Sequence, residues 1–424
     1  MNKYVFVQAS VCRMGGSQQY LYRKINFLKN LGWDVKVIVG YTGNVIMKQL
    51  AEYENCVPGI LYSTCFFNKH DQQKIINEAI KIIDPKENEN IYIESSTASN
   101  SLWCEMIAKK LNCRHVSFDF EEVFTNLTKT QLDYHDFKHR RREICGISPQ
   151  ALPLMFKGYK EIPEEEAYCY RAMCSNPIDD IEASDEINEM IKSLKTHDCV
   201  IGTIGRAEKP FLIPTLKGIR EYVLDNPERN FGILHIGGSP QIKYQEEAAT
   251  IFDNVPNATY YCTGSIFPIP KVLASTCAAF VSSSGSASAS ARENIPTVSI
   301  SPSTFMANGI LNYTTRFAAV PDKEMNLTIK SQLSEIIDNK YCETHENLGL
   351  YDALPFSEEA KIQFKKQIDF VTENDTKLEY YDVSKVKKEG KTALVAAFAR
   401  IIGRRSFLAV LKLIEKSNLT FIKG

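Results

Sequence analysis

The chain has no C-x-x-C pair among its 12 cysteines, and its seven histidines are scattered, so no zinc-binding spacing is present. No apolar run reaches the length of about 18 residues that a membrane-spanning helix needs. The opening residues MNKYVFVQ pass directly into a strand pattern and lack the basic head and long apolar run of a signal peptide. Net charge is also lacking. Lys and Arg number 50 against 51 Asp and Glu, a formal balance of −1, so no global field points to nucleic acid or an acidic polymer as partner. These absences predict a cytoplasmic protein. Its cysteines should be reduced and buried, several of them inside apolar runs such as THDCVI.

What is present is an average globular mixture, 44% hydrophobic and 24% charged. A single core rarely grows past about 250–300 residues, so 424 residues predict two domains. Residues 3–10 read as a strand, followed by a loop containing Met14-Gly15-Gly16-Ser17 and a helix whose apolar positions share one side. Gly32 ends that helix, and 33–40 is a second strand, so the unit is βαβ and the sheet parallel. The alternation continues through a helix at 71–83, a strand at 91–94 and a helix at 99–111 capped from Ser95-Ser96-Thr97. A strand at 114–119, a helix holding 138–142 and a short strand at 144–148 follow. Residues 161–195 read as an acidic connector with a helix.

The pattern restarts with strands at 199–204, 231–236, 258–262, 278–282 and 297–300, and helices at 212–224, 268–275 and from about 286. The fold class predicted is α/β, with two doubly wound Rossmann-like domains at 1–180 and 197–372 facing a cleft, ligands binding beyond the carboxyl ends of the strands. The tail 385–424 is basic, with seven Lys and three Arg against two Glu. Within it Arg404, Arg405, Lys412 and Lys416 share one helical arc, and Phe407, Val410, Leu413 and Ile414 the other. Such a helix, over 391–416, can lie in a membrane interface at the inner face of the cell membrane. It can equally pack on the protein with its basic face solvated.

Four loops could carry chemistry. The turn Gly15-Gly16 opens a helix, where free N–H groups and the dipole suit a phosphate, although a plain tight turn reads the same way. Gly205-Arg206-Ala207-Glu208-Lys209-Pro210 places two cations just after a buried strand, where a diphosphate would need them. The run Ser282 to Ser290, which contains Gly285, puts small hydroxyl residues at a helix start and suits a phosphate cradle. Phe118-Asp119-Phe120-Glu121-Glu122 ends a strand of the first sheet, where a carboxylate could act as general base or be an ordinary exposed acid. The strand-end residue Glu94 shares that ambiguity. No G-x-G-x-x-G fingerprint is present.

Taken in order, the GG loop, IGRAEKP, LHIGGSP and CTGSIFPIPKVLASTCAAFVSSSGSASASARENIPTV resemble the retaining family 4 ("group 1") glycosyltransferases of the GT-B fold. So do Ile147-Ser148-Pro149 and the connector Ser175-Asn176-Pro177-Ile178-Asp179, and the resemblance covers most of residues 1–370. It implies a glycosyltransferase, hexosyltransferase-like and metal-independent, in surface polysaccharide or glycan biosynthesis. Its substrates would be a UDP- or GDP-linked sugar and a glycan or lipid-linked acceptor, with no separate cofactor. Gly15 and Gly16 would approach donor phosphate or acceptor, and Arg206 and Lys209 would bind the diphosphate and stabilise its departing charge. Gly238, Ser284, Gly285, Ser286 and Ser290 would complete the donor site, with Asp119 and Glu121 as candidate catalytic acids. The family's two loop glutamates are here Ser282 and Ser290, the Arg-to-Lys spacing is shorter, and Asp119, Phe120 or Glu121 stands in the region of a common histidine. The segment SSSGSASASARENIP also resembles the loop of sugar-nucleotide 2-epimerases. A sugar-nucleotide 2-epimerase and a non-catalytic, transferase-like binding subunit are the alternatives.

Overall fold

A computed structural model describes residues 1–12, 14–119, 127–239, 241–319, 327–352 and 354–416. The chain forms two compact units, one of Met1–Met173 with Glu359–Gly424, the other of Cys174–Glu358. All 12 cysteines are free thiols, and Cys12, Cys104, Cys113, Cys145, Cys199 and Cys277 are buried. Among the described residues no helix is long and apolar enough to cross a membrane.

The first unit is built on strands β1 (Asn2–Gln8), β2 (Asp34–Val39), β3 (Asn55–Cys56), β4 (Asn90–Ser95), β5 (Arg114–Asp119) and β6 (Ile144–Gly146). Helices α1 (Gly16–Asn30), α2 (Lys69–Ile83), α3 (Ala98–Leu111), α4 (Lys129–Arg140) and α5 (Ala151–Met155) connect or follow them. The strand order is β3-β2-β1-β4-β5-β6 and every pairing is parallel. Such a sheet is covered on both faces, which is why β1 is a continuous buried run rather than an alternating one. Gly32 stops α1 at φ +75°, and the Thr97 side chain caps α3 by accepting from Asn100 N–H.

The second unit repeats the plan with β7 (Ile178–Asp179), β8 (Cys199–Ile204), β9 (Phe231–Ile236), β10 (Ala258–Cys262), β11 (Ile269–Pro270), β12 (Ala279–Ser282), β13 (Thr297–Ile300) and β14 (Ala307–Ile310). Its helices are α6 (Asp185–Leu194), α7 (Leu212–Leu224), α8 (Ile242–Thr250), α9 (Lys271–Ala274), α10 (Ser284–Arg292), α11 (Ile329–Ile337) and α12 (Tyr341–Thr344). The main sheet runs β10-β9-β8-β12-β13-β14, parallel except for β14, and β7 pairs with β11. In both units the order reverses beside the first strand, so the loops after β1 and β4, and after β8 and β12, flank a topological switch point.

The chain returns to the first unit through α13 (Phe356–Thr372) and ends in α14 (Gly390–Lys416). Residues 359–372, read from sequence as part of the second domain, therefore cluster with the first. The reason is apolar: Phe370 and Val371 close a buried cluster with Val116, Phe118 and Cys145 of β5 and β6. Helix α14 breaks at Gly403, with φ +75° and ψ 166°. Beyond the break Phe407 and Leu411 are buried in the core with Phe66, Phe67 and Trp103, and the Phe407 ring stacks on Phe66 at 5.3 Å. Arg404 pairs with Glu78 at 2.6 Å and donates to the Pro58 carbonyl. This corrects the membrane-facing role expected of Arg404 and Phe407, which internal packing and pairing occupy, while Val410 and Leu413 stay exposed.

Two histidines of the first unit are buried neutral. Burial and the nearby Lys138 ammonium push both His115 and His135 down to about 4. His115 accepts from or donates to Ser95 Oγ at 2.9 Å and meets Glu105 Oε2 at 3.1 Å. Burial alone would raise Glu105, but the Lys138 ammonium at 3.0 Å, His115 and the Tyr381 N–H together outweigh it and hold the carboxyl at about 2. Unfolded histidines titrate near 6.5. Between about pH 6.5 and 4 the unfolded chain therefore binds protons that the folded chain refuses, and stability falls as pH drops through that window. Urea unfolding at pH 7 and pH 4.5 should differ by roughly 2–3 kcal/mol per histidine. The pH slope should flatten in His115→Gln/His135→Gln, and an unchanged slope would show that other groups carry it.

Candidate functional site

In the second unit β8 and β12 pair only over Ala279↔Ile201 and Phe280↔Gly202, and then diverge. The Ile204 N–H left at the divergence donates to Ser282 Oγ at 3.0 Å. Ser282, one of the two serines standing where the family has glutamates, is thus a buried strut between strands. Ser290 is the other. It is fully buried, its hydroxyl donating to Ala287 O at 3.1 Å and accepting from Thr297 Oγ1 at 2.8 Å. This differs from the ligand-holding role expected of Ser290: helical phase turns it toward β13, where its hydrogen-bonding capacity is spent.

The loop after β8 carries Arg206 and Lys209 and rests on the loop after β9. Gly205 N–H donates to Ile236 O at 3.0 Å, and Ala207 N–H to Gly238 O at 3.3 Å. The crossing needs glycine at 237, where a Cβ would lie 1.9 Å from the Gly205 carbonyl oxygen and φ is +153°. A Cβ on Gly238 would sit 3.0 Å from Ser265 N and Oγ, so this turn is also closely packed. The loop is pinned from below by His235, a residue the sequence reading passes over inside LHIGGSP. Its Nε2 contacts the Gly205 carbonyl at 2.7 Å and its Nδ1 the Tyr260 hydroxyl at 2.7 Å. A carbonyl only accepts, so Nε2 carries the proton and Nδ1 accepts from Tyr260. Burial pushes the imidazole down, which keeps that neutral tautomer.

Arg206 is partly exposed and pairs with Glu208 Oε1 at 3.1 Å. The other Glu208 oxygen, Oε2, is buried with no hydrogen-bond partner among the described residues. Across the switch point, α10 begins at Ser284 with φ +54°, and Ser283 Oγ donates to Ile300 O at 2.9 Å. The Ser284 N–H donates to the Ala318 carbonyl. A Cβ at Gly285 would lie 2.9 Å from Ser175 Oγ, so Gly285 is where two backbone segments of the unit approach. Arg206, Lys209 and Gly238 therefore stand on loops, and Ser284, Gly285 and Ser286 open α10, at the carboxyl edge of one sheet.

In the first unit Gly15 caps α1 in extended backbone, its carbonyl accepting from Gln18 and Gln19 N–H at 3.1 Å, and Gly16 opens the helix. Asp119 is the last residue of β5, but its side chain and the whole of Glu121 lie outside the described residues. Glu94 resolves as structural. It is fully buried and accepts from Lys24 Nζ at 2.6 Å, Tyr4 at 2.6 Å and Tyr20 at 2.8 Å.

No protein-family model and no curated protein sequence matches the chain. Solved structures do. A glycosyltransferase from Rickettsia africae ESF-5 is similar at TM-score 0.59 and 14% identity, over 88% of this chain and 98% of that one. Anabaena HepE, in complex with UDP and glucose, is similar at TM-score 0.53 and 12% identity, over 88% and 97%. A Listeria monocytogenes protein assigned as a UDP-N-acetylglucosamine 2-epimerase is similar at TM-score 0.52 and 12% identity, over 89% and 98%. With two sheets of identical strand order, parallel but for β14, these likenesses establish a two-domain, Rossmann-like α/β fold of the GT-B type.

Proposed function

We propose that the chain is a glycosyltransferase that takes a UDP- or GDP-linked sugar as donor and passes the sugar to an acceptor hydroxyl, on a glycan or a lipid-linked carrier. The observation that carries this reading is the convergence of the β8, β9 and β12 loops, with Arg206, Lys209, Gly238 and Ser284–286, at the switch point of the second sheet. The bond from the sugar's anomeric carbon to the diphosphate breaks, and the nucleoside diphosphate leaves with the electron pair. A new bond forms to the acceptor oxygen, whose proton passes to a carboxylate, for which Asp119 and Glu121 are the candidates. Arg206 and Lys209 stabilise the charge building on the diphosphate. Arg206 then exchanges its Glu208 partner for phosphate. The orphaned Glu208 Oε2 is freed to accept from a donor hydroxyl, standing in for the glutamate that Ser290 does not replace.

A sugar-nucleotide 2-epimerase is the second reading, favoured by the fold shared with the Listeria protein. One assay separates the readings. Incubation with UDP-N-acetylglucosamine in deuterated water, without acceptor, gives deuterium at C2 and an epimer only if the chain is an epimerase. Release of free UDP or GDP that requires an added glycan or lipid-linked acceptor identifies the transferase. Donor binding without either turnover assigns a transferase-like binding subunit and overturns both enzyme readings.

A further inference from the structure

The proposed reaction makes no use of the large cavity walled by α2, α3 and the C-terminal segment. It measures about 980 Å³, and Phe67, Ile76, Met106 and Val383 give it an apolar lining. Its rim carries Lys69, Lys109, Lys110, Lys387, Lys388 and Arg400 against a single carboxylate, Asp382. That carboxylate already accepts from Ser384, through N–H at 3.1 Å and Oγ–H at 2.7 Å. Among the described residues none of the six cations is in an ion pair. Six like charges gathered around one cavity repel one another, and an anion relieves that repulsion.

A second observation lies on the same helix. Ala393 and Arg400 of α14 line the cavity, while the residues one place along, Leu394 and Ile401, project into solvent with Phe398. Leu394 is 73%, Phe398 58% and Ile401 83% exposed. Positions 394, 398 and 401 form one helical row, so the part of α14 before Gly403 presents an uncovered apolar stripe beside a cationic rim. This row differs from the arc of Phe407 and Leu413 legible in the sequence.

We infer that this face docks on an anionic phospholipid bilayer: lipid phosphates sit among the rim lysines, and Leu394, Phe398 and Ile401 enter the headgroup–acyl boundary. Charge complementarity selects the headgroup, and the apolar stripe selects a lipid over a soluble phosphate. The inference holds whichever sugar reaction the chain performs. The test is co-sedimentation of the full chain with vesicles of phosphatidylcholine alone and with added phosphatidylglycerol. Binding should favour the anionic vesicles at least tenfold and weaken as salt is raised. Lys109→Glu/Lys110→Glu and Leu394→Asn/Ile401→Asn, all exposed positions, should each lose tenfold or more while unfolding at the wild-type temperature. Equal binding to neutral vesicles, no vesicle binding, or wild-type binding by either pair would overturn the inference. Full displacement by excess inorganic phosphate would also overturn it, since the site would then take a small anion.

Discussion

Alanine at Arg206 should cut the stabilisation that a nucleotide-sugar gives this protein from about 2.7 kcal/mol to roughly 0.4–1.4 kcal/mol at the same ligand concentration. A donor present at 100 times its dissociation constant raises the unfolding free energy by about 2.7 kcal/mol, which a thermal-shift panel of UDP, GDP, CMP, dTDP and their sugar conjugates resolves. A charged guanidinium on a diphosphate is worth roughly 1.5–3 kcal/mol, so Arg206→Ala should weaken binding by about tenfold to a hundredfold. The fold should survive. Arg206 is partly exposed and, among the described residues, its ion pair is to Glu208 in the same loop, an interaction of at most about 1 kcal/mol at such a site. Lys209→Ala should act in the same direction. A ligand shift that persists undiminished in both variants would place the donor elsewhere and remove the convergence of loops as the basis for the transferase reading. His235→Ala should weaken the same ligand without touching it, by freeing the Gly205 carbonyl that holds the loop.

Methionine at Lys24 should cost far more than a substitution at the ligand loops. Lys24 and Glu94 are both fully inaccessible, 2.6 Å apart, with Tyr4 and Tyr20 donating to the same carboxylate. The Lys24 ammonium also lies 4.3 Å from the Phe118 ring centroid. Burial pushes the lysine down and pushes both tyrosines up, and the Glu94 carboxylate opposes the fall at Lys24. Removing one member of a buried pair leaves an uncompensated charge and typically costs about 3–5 kcal/mol. Lys24→Met should lower stability by that amount in urea unfolding. Lys24→Met/Glu94→Gln should recover more than half, because no unpaired charge remains. A double variant as unstable as the single one would show that packing around the lysine stem, rather than charge, holds this site together.

Much of the second unit was legible before any coordinates. Strands Cys199–Ile204, Phe231–Ile236, Ala258–Cys262 and Thr297–Ile300 fall at the residues the sequence indicates, because each is a short apolar run ended by glycine, proline or polar residues. The stretch 268–275 reads as one helix but is β11 followed by α9, since the proline at 270 biases Ile269 toward extended backbone. The stretch at 138–142 overruns in the same way: α4 ends at Arg140, and Arg142 turns at φ +53°.

The order of βα units and the glycine, serine and cationic composition of the loops between them are properties of the chain itself. They were sufficient for a doubly wound pair of sheets and for loops at the strand ends. Which polar groups face a ligand was decided only in three dimensions. Ser282, Ser290 and Glu94 carry the same chemistry in a sequence whether they meet solvent or core. Neighbours on other elements (Ile204, Thr297 and Lys24) take up their hydrogen bonds and close them to a ligand. The same holds for the tail. Its amphipathicity is written in the sequence, but the Phe66, Phe67 and Glu78 partners of Phe407 and Arg404 are brought to it only by folding. Packing buried Phe407 of the apolar row that the sequence advertises, left its Val410 and Leu413 exposed, and left uncovered a second row at Leu394, Phe398 and Ile401.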